Sequence, residues 1–137
     1  MGEATYTLEI HNMEKSNLPK IKAFIEQGKE AEDYWQKNRD MECSGNRSVF
    51  WSEFKTKFPD VVECIIPTGL VDGDCNNALA GKIDFADCCG DMEINISDDG
   101  ILTYSAMVWH FATWKYFVKY LMDKYGGTEG HWWSDEY

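Results

Sequence analysis

The chain has 137 residues, 44% hydrophobic and 15% aromatic, and a net charge of −11 from 24 acidic against 13 basic side chains. That length suits one domain spanning residues 1–137 with one proper core, and the aromatic content excludes a disordered acidic chain. The charge argues against direct binding to nucleic acid or to an anionic membrane, both of which need a basic surface.

Met1 to Tyr6 carries neither a basic patch nor an apolar run, so no secretory signal is expected, and Tyr6 stands where the myristoylation pattern requires Ser or Thr. No run approaches the roughly 18 apolar residues of a membrane span, and the expected setting is cytoplasmic. Thr5 to His11 alternates, with Tyr6, Leu8 and Ile10 on one side, which is the period of a half-buried strand. Asn17-Leu18-Pro19 then reads as the N-cap and first two positions of a helix with Ile21, Phe24 and Ile25 on its apolar stripe. Gly28 is expected to weaken or end it, yet Ala31, Tyr34 and Trp35 carry the spacing on to about Asn38, as one bent helix or two short ones.

Arg39 to Asn46 reads as a loop, followed by a short helix from Ser48 in which Phe50, Phe54 and Phe58 fall at i, i+4 and i+8 before Pro59 ends it. Val61 to Ile66 is largely β-branched and predicts a strand stopping at Pro67. A helical turn at Asn76–Ala80 and a short strand at Lys82–Phe85 are the readings of the next segment. Met92, Ile94 and Ile96 then alternate with polar residues, Asp98-Asp99-Gly100 supplies a turn, and Ile101 to Trp109 is a second extended run, so a β-hairpin is expected. Phe111, Trp114, Phe117, Val118, Leu121, Met122 and Tyr125 give the last helix its apolar face, with Tyr116 and Tyr120 on the other side beside Lys115 and Lys119. Gly126-Gly127 stops it, and Thr128 to Tyr137 is a last edge strand or a folded-back tail.

This order predicts an α+β fold with a mostly antiparallel sheet covered on one face by two main helices, a ferredoxin-like core with an insertion between Arg39 and Phe58. The hairpin and helix, from Met92-Glu93-Ile94-Asn95-Ile96 through Asp98-Asp99-Gly100 and Val108-Trp109 to Lys124-Tyr125-Gly126, resemble the closing half of the Api-like proteins of phages, plasmids and other mobile elements. Thr7-Leu8-Glu9-Ile10 and Ile65-Ile66-Pro67 are similar to that family's opening and middle strands, whereas Trp109-His110-Phe111-Ala112 replaces its Trp-Ser-Pro-Pro-like step. The resemblance implies a ferredoxin-like fold and a mobile-element setting, hence the host cell cytoplasm for a phage-encoded protein. It implies no catalytic residue.

Motifs for chemistry are sparse. Asp72-Gly73-Asp74-Cys75-Asn76 imitates the first half of a calcium loop, but Asn77 replaces the sharp-turn Gly and Ile83 the bidentate Glu, so a solvated acidic loop is the reading. Cys88-Cys89 are adjacent and lack the spacing of a zinc site, and the five Cys read as free thiols. There is no phosphate-cradling Gly-rich loop, no nucleophile elbow and no His-Glu-x-x-His. No metal, no cofactor and no enzymatic activity are expected.

What the sequence does concentrate is charge. Between Asp60 and Asp99 lie Asp60, Glu63, Asp72, Asp74, Asp84, Asp87, Asp91, Glu93, Asp98 and Asp99, against the single base Lys82. Such a run attracts a basic partner and can approximate the line of duplex phosphates, about one charge per 1.7 Å. The expected partner is a basic nucleic-acid-binding protein, met through Asp72, Asp74, Asp84, Asp87, Asp91, Glu93, Asp98 and Asp99 with Trp132 and Trp133 as aromatic anchors. An anti-CRISPR-like inhibitor that mimics nucleic acid is the concrete form. An immunity or antitoxin protein neutralising a basic toxin, and a ligand sequestrant or enzyme with a Trp/Cys/His-lined pocket, are the alternatives.

Overall fold

The computed structural model describes residues 4–42, 47–66, 83, 85–86, 93–108 and 111–134. In chain order they form β1 (Ala4–His11), a 3-10 turn at Lys15–Asn17, α1 (Leu18–Glu42), α2 (Arg47–Lys57), α3 (Pro59–Ile65), β2 (Glu93–Ile96), β3 (Leu102–Val108), α4 (Phe111–Tyr125) and β4 (Thr128–Ser134). The strands make one antiparallel sheet in the order β2-β3-β1-β4. β1 and β3 are central, so the passage from β1 to β2 crosses β3 and the passage from β3 to β4 crosses β1. The α+β architecture expected from the sequence is present.

Alternation along the central strands decides which face is inside. Tyr6, Leu8 and Ile10 of β1 and Leu102, Tyr104 and Val108 of β3 are fully buried, whereas Thr5, Thr7 and Glu9 on the opposite side are half-buried. α4 lies on the inner face through Trp114, whose ring is 5.5 Å from Tyr104 and 5.7 Å from Tyr6. Phe24 of α1 stacks on Phe85 at 5.1 Å, and Phe85 on Phe117 at 5.0 Å. Burying such a ring contributes about 1.5–3 kcal/mol, so this stack joins the two long helices, and Phe117 meets the sheet at the Tyr104 ring 5.6 Å away. The Tyr104 hydroxyl donates to the Phe85 carbonyl at 2.8 Å, which pins the chain ahead of β2 into the same layer.

Helix α1 continues through Gly28, where the Phe85 ring occupies the space a side chain would take. The bend is at Asn38 (φ −123°, ψ 15°), where Nδ2 donates to the Tyr34 carbonyl at 2.9 Å. Arg39–Glu42, expected in a loop, continue the helix. Tyr34 packs 5.6 Å from Phe50, 6.2 Å from Phe54 and 5.7 Å from Phe58, which attaches α2 to α1.

The expected strand at Val61–Ile66 is a helix, and with it the middle-strand likeness of Ile65-Ile66-Pro67 falls away. Pro59 does not close α2 so much as open α3: it occupies the first helical turn, where its missing N–H costs nothing, and Asp60 sits near the positive end of the helix dipole. Val61, Cys64 and Ile65 then fall on one buried side at helical spacing. Ile83 and Phe85, expected within a strand at Lys82–Phe85, are buried but belong to none. Lys82, Asp84 and the turn expected at Asn76–Ala80 lie outside the described residues.

The hairpin forms as expected, with β2 at Glu93–Ile96 and β3 at Leu102–Val108; Met92 and Trp109 lie outside the described residues. Gly100 adopts φ 80°, its N–H donates to the Ser97 carbonyl at 2.9 Å, and its own carbonyl accepts from Met13 N–H at 2.8 Å. Gly126 and Gly127 both take positive φ and stop α4, with Gly126 N–H on the Met122 carbonyl at 3.0 Å. The chain after them is a strand, β4, paired antiparallel with β1. Among the described residues no helix is long and apolar enough to cross a membrane.

Candidate functional site

Of the residues singled out by sequence, Asp72, Asp74, Asp84, Asp87 and Asp91 lie outside the described residues, together with Cys75, Cys88, Cys89 and His110. The acidic run is represented by Asp60, Glu63, Glu93, Asp98 and Asp99. Three of these are already matched by lysines. Lys15 Nζ lies 2.6 Å from Asp98 Oδ1, and that hydrogen bond, with the lysine charge behind it, holds the Asp98 carboxyl below its usual range. Lys124 Nζ lies 3.5 Å from Asp60 and 3.4 Å from Glu63. Glu93 and Asp99 are exposed and make no ion pair among the described residues.

The two neighbouring tryptophans part company, because successive side chains of a strand point to opposite faces. Trp132 stands beside Leu8 and packs against the core, half-buried; Trp133 stands beside Thr7 and is 42% exposed. Only Trp133 is therefore placed to meet a partner directly. Register puts it in one row across the outer face of the sheet: Glu93 opposite Ser105, Ser105 opposite Thr7, Thr7 opposite Trp133. Thr7 and Ser105 share a hydroxyl hydrogen bond of 3.2 Å. Three strand spacings separate Glu93 from Trp133, about 14 Å. The His131 ring lies 5.0 Å from Trp133 and fixes the indole from one side.

A cleft of about 400 Å³ lies between α3 and α4, walled by Glu63, Cys64, Tyr116, Tyr120 and Lys124. It was hidden in the sequence by the strand-like run at 61–66; read as a helix, Glu63 and Cys64 come round to meet α4. Tyr120, read on the side of the last helix opposite its apolar stripe, is 7% exposed and stacks on Phe24 of α1 at 4.7 Å. Burial lifts its phenol to about 12, the neighbouring Lys124 ammonium opposing the rise and Asp60 and Glu63 adding to it. Burial likewise lifts the Cys64 thiol to about 12, and Glu63 adds to it. Tyr120, Asp60 and Glu63 all raise Lys124, whose ammonium stays charged. A protonated thiol and a fully charged amine are poor nucleophiles, so neither group is prepared for covalent chemistry. Among the described residues no group of three His, Cys, Asp or Glu could hold a metal ion.

Comparison with protein-family models, curated proteins and solved structures finds no match to this chain.

Proposed function

We propose that this protein is an acidic binding module that occupies the nucleic-acid channel of a basic enzyme, in concrete form an anti-CRISPR-like inhibitor of a host defence nuclease. The observation that carries the reading is the run from Asp60 to Asp99, ten carboxylates against one lysine. Pairing with Lys124 and Lys15 quiets Asp60, Glu63 and Asp98, so among the described residues of the run the field offered to a partner comes from Glu93 and Asp99. The strand order β2-β3-β1-β4 with interleaved helical crossovers supports a ferredoxin-like core, and the hairpin followed by α4 keeps the likeness to Api-like proteins that suggests a mobile-element setting.

The test is capture with tagged protein from cells carrying candidate defence systems, followed by a salt series. The expected catch is a basic nucleic-acid-binding protein, lost as salt rises and displaced by DNA or RNA. Replacing Asp84, Asp87, Asp91 and Glu93 by Lys abolishes capture while the domain stays folded; normal capture by that variant overturns the reading. One feature favours a second reading, a ligand sequestrant: the cleft over Cys64 between α3 and α4. A stoichiometric small molecule in the mass spectrum of the native protein would mark it.

A further inference from the structure

Charge is sorted between the two layers of the molecule. Of the thirteen Lys and Arg, one lies in the 3-10 turn, five in α1, three in α2 and three in α4, and Lys82 lies outside the described residues. Among the described residues none lies in a strand. The helices cover the inner face of the sheet, so the outer face carries no fixed positive charge among the described residues. It does carry Glu9 and Glu93, and none of its side chains is fully buried. His11 lies 3.7 Å from Glu9 and leans over Gly130, where a side chain would collide with it, so this end of the face is kept low and flat. Among the described residues Trp133 is the one large apolar side chain exposed on the strands.

We infer that this outer face, anchored at Trp133 and charged by Glu9 and Glu93, is the surface on which an arginine-bearing segment of the basic partner docks. The inference rests on the reading of the protein as a binder of basic proteins, and it adds where the contact is made. Two carboxylates and an indole within about 15 Å suit a short cationic segment, one guanidinium over the Trp133 ring and others on the carboxylates. Nucleic acid is the wrong occupant, because among the described residues the face offers no Lys or Arg for a phosphate. A second copy laid face to face would set Glu against Glu, and like charges in contact oppose association.

A nine-residue oligoarginine peptide serves as the probe, titrated at low salt into the isotope-labelled full chain and followed by amide and indole NMR signals. The expected result is movement of the Trp133 indole N–H and of the Thr7, Glu9, Glu93 and Ser105 amides. Thr103→Lys places an ammonium opposite Glu9, at an exposed position, and weakens the peptide at least fivefold; Trp133→Ala weakens it at least threefold. Glu26→Lys, on the exposed side of α1, changes the net charge by more and leaves the affinity within twofold. Shifts confined to the helices or to residues 67–92, or equal effects of Thr103→Lys and Glu26→Lys, overturn the docking face while leaving capture of a basic protein intact. A dimer by light scattering that buries Trp133 also overturns it. Failure to capture any basic protein overturns instead the broader reading on which this one rests.

Discussion

Cys64 shows how one buried atom sets a pH limit for the whole domain. Its thiol is 2% exposed between α3 and α4 and has been lifted from an ordinary value of 9.0 to about 12, by burial first and by the Glu63 carboxylate second. A group whose pKa is higher folded than unfolded gives stability that is complete below the unfolded value and disappears as pH passes the folded one. The window here is pH 9 to about 12. Tyr120 is raised to about 12 as well, so the cysteine has to be isolated by difference. Cys64→Ala costs about 1 kcal/mol at pH 7, where it leaves a methyl-sized void. Denaturant melts of both proteins from pH 7 to 11.5 should show that deficit shrinking above pH 9 and changing sign within roughly one further pH unit, at about 1.4 kcal/mol per unit. A deficit constant over the range would mean that the thiol ionises as easily folded as unfolded.

At the scale of elements, β4 shows what period alone can and cannot do. Trp132 and Trp133 were both expected as partner anchors, and the sequence holds no register that separates them; only pairing with β1 sends Trp132 inward beside Leu8 and Trp133 outward beside Thr7. Trp132→Ala should therefore cost about 2 kcal/mol, short of the 3–5 of a fully buried ring, and Trp133→Ala less than about 1 kcal/mol, measured by urea unfolding. Equal losses would mean that Trp133 packs as tightly as Trp132. The alternating strand β1, the hairpin around Gly100 and the apolar stripe of α4 were legible because each bears one face to the core and one away from it. α3 was not legible: its buried Val61, Cys64 and Ile65 satisfy a helix as well as their β-branched composition suggests a strand, and tertiary contact with α4 decides. The cleft went unread with it, since its walls exist only once 59–65 is helical. Of the acidic site, charge was legible and pairing was not; nothing in the sequence sets Lys124 against Asp60 and Glu63, some sixty residues earlier.

For the whole molecule two electrostatic effects of opposite sign compete as salt is added. A net charge of −11 repels itself in the compact state, and screening that repulsion stabilises the fold. The same screening weakens Lys15–Asp98, Lys119–Asp123 and the Lys124 pairs, but these are substantially exposed, and exposed pairs contribute a few tenths of a kcal/mol each. Acidic side chains outnumber basic ones 24 to 13, and the outer sheet face carries no Lys or Arg among the described residues, so the repulsion is the larger effect. Raising sodium chloride from 20 mM to 500 mM should therefore stabilise the free protein by on the order of 1 kcal/mol, a rise in Tm of about 3–5 °C, while the same change weakens its complex with any basic partner. Scanning calorimetry of the free protein reads the first effect and the capture series reads the second. A Tm that falls with salt would show that the ion pairs outweigh the repulsion, and the field needed to draw in a basic protein would then be too small to act beyond contact.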